Sequence, residues 1–88
     1  LDKDVAFEIV RFYYGIREYD SALEFYEKSN KEVGEHHVTW HNMGLCYYSK
    51  GNMELALEHF EKSLAHNADY EKAKTWITRV RSEMAVRA

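Results

Sequence analysis

Ala22-Leu23-Glu24-Phe25-Tyr26-Glu27-Lys28-Ser29 returns as Ala56-Leu57-Glu58-His59-Phe60-Glu61-Lys62-Ser63, starting at position 56 instead of 22, an offset of 34. The same offset lays Tyr13-Tyr14 over Tyr47-Tyr48 and sets Ala6 opposite Trp40, Ile9 opposite Met43 and Tyr19 opposite Met53. Residues 3–36 placed over 37–70 give eight identical pairs, where unrelated stretches of ordinary composition would give about two. The matches fall on periodic columns. A period of this length marks stacked units, each unable to bury its own apolar face alone.

Working outward, Leu23 and Tyr26 in the first unit, and Leu57, Phe60 and Leu64 in the second, lie at helical spacing and form one apolar stripe per helix. Ala22 and Ala56 are small where helices must approach. Gly51-Asn52 reads as a helix stop followed by a turn, so the next helix returns antiparallel. Proline is absent and glycine is confined to Gly15, Gly34, Gly44 and Gly51, fewer turn residues than strands and hairpins need. The spacing predicts helices over 3–16, 19–31, 37–50, 53–66 and 70–86, an all-α chain.

The second unit, through Trp40, Met43, Gly44, Tyr47, Gly51, Ala56, Phe60 and Leu64, resembles the tetratricopeptide-repeat (TPR) family. The first carries the pattern more loosely at Ala6, Ile9, Tyr13, Tyr19, Ala22 and Tyr26. The resemblance implies a single domain over 1–88, a right-handed superhelix of two helix-turn-helix repeats (3–36 and 37–70) closed by a capping helix at 71–88. Val10 departs from the small residue usual at its position, which would splay the first pair, and Gly34 and Ala68 replace the usual proline. In the final helix Lys74, Thr78 and Arg81 are polar where earlier units have Ala6 and Trp40, Val10 and Gly44, and Tyr13 and Tyr47. Ala73, Ile77 and Val80 stay apolar. One buried and one wet face is what a capping helix needs. Val5, Ile9 and Phe12 remain apolar with no earlier unit to meet them. That implies repeats upstream or self-association through the N-terminal helix, unless these side chains pack internally.

The chain has 12 basic and 15 acidic residues, a formal net charge of −3. A nucleic-acid surface needs the opposite balance, so none is expected. No apolar run approaches the roughly 20 residues of a membrane span, and no leader of charged and then apolar residues is present. The single Cys46 cannot form an internal disulfide. A soluble, cytoplasmic setting is the expectation, with Leu1 rather than Met pointing to an excised piece of a longer chain.

Stacked repeats expose a concave surface lined mainly by their first helices. Positions there not used for packing are Phe7, Arg11 and Tyr14, then His41, Asn42, Leu45 and Tyr48, then Lys72, Trp76 and Arg79. Aromatic anchors beside cations suit an extended or helical peptide of acidic character, although Glu8 and Glu83 border the same surface. The alternative is that Tyr14 and Tyr48 are half-buried supports and the charges a solvated rim. One TPR subgroup clamps chaperone C-terminal carboxylates with five lysine, asparagine and arginine residues. Only Asn42 and Lys72 match it here; Phe7, Arg11 and Trp76 do not.

His37 and His41, four apart and next to His36, have ligand spacing on a helix, but no second cluster completes a metal site. A polar helix start is the plainer reading. Cys46 sits in an apolar column, where a buried thiol is expected rather than a nucleophile. No phosphate loop, serine elbow or nicotinamide fingerprint occurs, and the i, i+4 pairs Glu24–Lys28 and Glu58–Lys62 are surface pairs. No enzyme and no cofactor are expected. The sequence points to a protein-binding adaptor that uses the groove, with a scaffold at the C-terminal end of a longer array as the alternative.

Overall fold

The computed structural model describes residues 16–87. Nearly all of the helix expected over 3–16 lies outside them, with Val5, Phe7, Glu8, Ile9, Arg11, Phe12 and Tyr14. Among the described residues there are four α-helices and no strand: α1 (Ile16–Glu32), α2 (His37–Ser49), α3 (Met53–His66) and α4 (Glu71–Arg87). None of them is long and apolar enough to cross a membrane.

Helix α1 starts three residues before the expected position 19. Arg17-Glu18 stand where the second unit has Gly51-Asn52, and these good helix formers carry no stop signal. Gly34, at φ 112°, turns the chain after α1. His36, in extended backbone, then caps α2, its Nδ1 accepting the Val38 N–H at 3.1 Å. At the far end of α2 the Gly51 N–H reaches the Tyr48 carbonyl at 3.0 Å and the Asn52 N–H reaches that of Tyr47 at 2.9 Å. This paired closure requires the left-handed conformation that Gly51 adopts at φ 86°. Asn52 at once caps the next helix, its Oδ1 accepting the Leu55 N–H at 3.1 Å.

The helices pack in sequence order, α1 on α2, α2 on α3 and α3 on α4. One buried cluster joins Tyr19, Ala22, Leu23 and Tyr26 of α1 to Met43 and Cys46 of α2. A second joins Ala56 and Phe60 of α3 to Ile77 and Val80 of α4. Half-buried Leu45 and Tyr47 pack against both. Helices α2 and α3 close tightly because Gly44 lies against Phe60: a Cβ there would sit 2.6 Å from Phe60 Cδ1 and Cε1. Buried Ser63 adds a polar tie, donating to the His37 carbonyl at 2.8 Å. On α4, Ala73, Ile77 and Val80 are buried and Thr78 and Arg81 face solvent, while Lys74, the third residue of the polar columns, is half-buried. Cys46 is fully buried, and burial pushes its thiol up to about 12, so it stays protonated.

Candidate functional site

Tyr48, near the end of α2, and Trp76, in the first half of α4, meet edge to face with ring centroids 4.9 Å apart. Both are half-buried. Trp76 is backed by the buried ring of Phe60, stacked at 5.8 Å, which fixes its plane against the core. Exposed Arg79, one turn along α4, holds its guanidinium carbon 5.0 Å from the Trp76 centroid and 5.7 Å from that of Tyr48. The cation therefore covers both rings, an arrangement worth about 0.5–1 kcal/mol at an exposed site.

Glu83 closes the cluster. Its Oε1 accepts the Tyr48 hydroxyl at 2.8 Å and the Arg79 Nε at 3.5 Å. The bond to this carboxylate, followed by burial and the carboxylate's charge, raises the Tyr48 pKa above its ordinary 10.0 against the opposing pull of Arg79. Tyr48 thus remains a neutral donor. Chemically, the surface offers two flat, half-exposed aromatic groups and a guanidinium whose charge is partly matched from within.

Three expected groove residues, Tyr48, Trp76 and Arg79, are gathered here. Leu45 is half-buried between the two core clusters, and Lys72 is exposed on the first turn of α4. His41 and Asn42 are placed differently from the expectation. His41 is 2% exposed, its ring against Phe60 and Tyr70 at 5.2 Å each, and Asn42 is 0% exposed. Helix α2 is flanked on both sides, so Thr39 and every residue from His41 to Gly44 are buried and neither side chain is presented to a ligand. Phe7, Arg11 and Tyr14 lie outside the described residues. The histidines do not converge: His37 Nε2 accepts from Asn67 Nδ2 at 3.3 Å while its ring stacks on His36 at 4.4 Å. Among the described residues no three His, Cys, Asp or Glu side chains are grouped to hold a metal ion.

Sequence reasoning passed over a second aromatic cluster around Trp40, which His59, His66 and Lys62 surround. The signal available was the 34-residue alignment, which puts His59 opposite Phe25, a polar ring in an otherwise repeated segment.

Residues 37–70 match the family model of the tetratricopeptide repeat, the whole of the second unit and nothing beyond it. No curated protein and no solved structure matches the chain.

Proposed function

We propose, from the premise that residues 37–70 form a tetratricopeptide repeat, that the chain is a non-catalytic protein-binding module whose contact surface centres on Tyr48, Trp76 and Arg79. The carrying observation is the guanidinium of Arg79 lying over two half-exposed rings, one of them braced by Phe60. Rigid aromatic groups beside arginine are the residue types that dominate binding energy at protein interfaces. A partner peptide or helix lays an apolar side chain against Trp76 and Tyr48, and its carboxylate reaches Arg79 in place of Glu83. Lys72 adds charge that steers the approach.

Residues 37–70 are then one repeat, the unit expected over 3–36 lies partly outside the described residues, and the wet face of α4, through Thr78 and Arg81, closes the stack. The second reading, an end piece of a longer array, draws on that same polar face. Its self-association arm rests on Val5, Ile9 and Phe12, outside the described residues.

The test is capture of partners by the wild-type chain beside Trp76→Ala and Arg79→Ala, each matched for folding by circular dichroism. Titration calorimetry then follows on the partner so identified. Trp76→Ala is expected to weaken binding by about 1–3 kcal/mol, and Arg79→Ala to lower affinity most at low salt. Equal affinity in all three proteins would move the contact surface elsewhere.

A further inference from the structure

Among the four described helices, α1, α3 and α4 each carry a glutamate in the first turn, Glu18, Glu54 and Glu71, and α2 carries no acidic residue there. Its start holds two imidazoles instead. His36 and His37 are stacked, with centroids 4.4 Å apart and planes 28° from parallel. A helix N-terminus is the positive end of the backbone dipole and favours negative charge. Two titratable rings side by side at that end are tolerated best while both are neutral.

Each ring also serves as an acceptor. His36 Nδ1 takes the Val38 N–H at 3.1 Å, and the His36 carbonyl takes the Trp40 N–H at 3.2 Å. His37 Nε2 accepts from Asn67 Nδ2 at 3.3 Å. An imidazole nitrogen accepts only while it carries no proton, and the charged ring has no such nitrogen left. Helix α3 is capped without this condition: Asn52 Oδ1 accepts the Leu55 N–H, and an amide oxygen has no proton to gain in this way.

His37 is also where the start of α2 is tied to the end of α3 and the turn after it. Its carbonyl accepts from buried Ser63 at 2.8 Å, and its ring meets that of Tyr70 at 4.6 Å. On the loop before α2, Glu35 Oε1 lies 3.5 Å from His66 Nε2 in the last turn of α3. Among the described residues, the titratable groups at this joint are therefore Glu35, His36, His37, His66 and Tyr70. A proton on His66 strengthens its contact with Glu35. Both of these side chains are exposed, and such a pair holds little.

We infer that the start of α2 is a pH-sensitive joint, closed while His36 and His37 are neutral and opened when they take up protons. A proton on His36 Nδ1 removes the cap on Val38 and places a cation at the positive end of the helix. A proton on His37 Nε2 detaches Asn67 and sets two charged rings against each other. The first turn of α2 then frays, and the Trp40 amide loses its partner with it. The range is the one in which imidazoles change charge, around pH 6.5. The joint shares no residue with the Tyr48–Trp76 site, and either inference can fail without the other.

The experiment is nuclear magnetic resonance of the ¹⁵N-labelled chain from about pH 7.5 down to about pH 5, the span over which imidazoles titrate. Two matched starts of helix are compared: the Val38 and Trp40 amides of α2, and the Leu55 and Ala56 amides of α3, where Ala56 N–H is bonded to the Asn52 carbonyl at 3.0 Å. At the upper end, imidazole ¹⁵N shifts are expected to show His36 Nδ1 without a proton. Toward the lower end, the Val38 amide is expected to move upfield. Exchange protection at Trp40 is expected to fall about fivefold relative to Ala56, the effect of losing one cap. His36→Asn keeps a capping acceptor without a titrating ring and is expected to abolish both responses, while His66→Gln leaves them in place. Three results would each overturn the inference: Val38 unmoved across the range, protection lost equally at Trp40 and Ala56, or the full response retained in His36→Asn. The first would mean that the cap is indifferent to the ring, the second that the whole chain opens, and the third that another group is the source.

Discussion

Gly44 has no side chain where Phe60 occupies the space a Cβ would need, 2.6 Å from two ring carbons. Two effects oppose each other in Gly44→Ala. Alanine favours the helix by about 1 kcal/mol, whereas overpacking a close-packed site costs about 1–3 kcal/mol. Phe60 cannot easily yield, because His41 lies on it at 5.2 Å and Trp76 at 5.8 Å. The expected net outcome is a loss of about 1 kcal/mol or more in urea unfolding, and a more stable variant would show that the ring moves freely. His59 gives a pH signature. Burial is the main cause that lowers its pKa below the ordinary 6.5; the backbone bond to Leu55 opposes it, Lys62 adds to it, and Glu58 and Glu27 oppose it weakly. As pH falls, the unfolded chain takes up this proton first, so the folded state loses stability from about 6.5 downward. The loss levels off below the folded-state pKa. Urea midpoints across this range are expected to slope upward with pH, and His59→Leu to remove part of that slope. An unchanged slope in the variant would show that His59 is not its source.

At the scale of the element, the ends of α2 and α3 were legible because the signals were local. Gly51 supplies the left-handed turn and Asn52 the cap, and the expected 37–50 and 53–66 differ from the structure by a single residue, at Lys50. The start of α1 was less legible, since Arg17-Glu18 replaces that turn pair and the boundary has no marker. Asn52→Ala tests the cap directly. Losing the bond to the Leu55 N–H is expected to cost about 1 kcal/mol, while Asn52→Asp, which keeps an acceptor beside the helix N-terminus, should retain most of the stability. Thermal melts of the pair distinguish this from a general effect of substitution. The site was only partly legible for the opposite reason. Tyr48, Trp76 and Arg79 come together because their helices bring them there. His41 and Asn42 share α2 with Tyr48, yet their exposure is decided by what other elements lay over them, Phe60 and Tyr70 in the case of His41. Periodicity along one helix does not carry that information.

For the molecule as a whole, α4 is the partner that closes one of the two buried clusters. Ile77 and Val80 pack with Ala56 and Phe60, and burying each large aliphatic side chain is worth about 1.5–3 kcal/mol. The total approaches the roughly 5–15 kcal/mol by which a whole domain is stable. A chain ending at Asp69 is therefore expected to lose most of its helical circular dichroism, beyond the share α4 itself contributes. Retention of a cooperative melt by that truncated form would show that α1, α2 and α3 stand alone. The arrangement at Arg79 carries a different consequence. Its guanidinium already rests on Tyr48 and Trp76 and is already met by Glu83, so under the binding mode proposed above an incoming acid would have to displace a resident one. Recognition by that proposed route would be a swap between near-equal states: the gain per encounter would be small, residence times short, and a visitor chosen by how well its shape covers the rings more than by its charge.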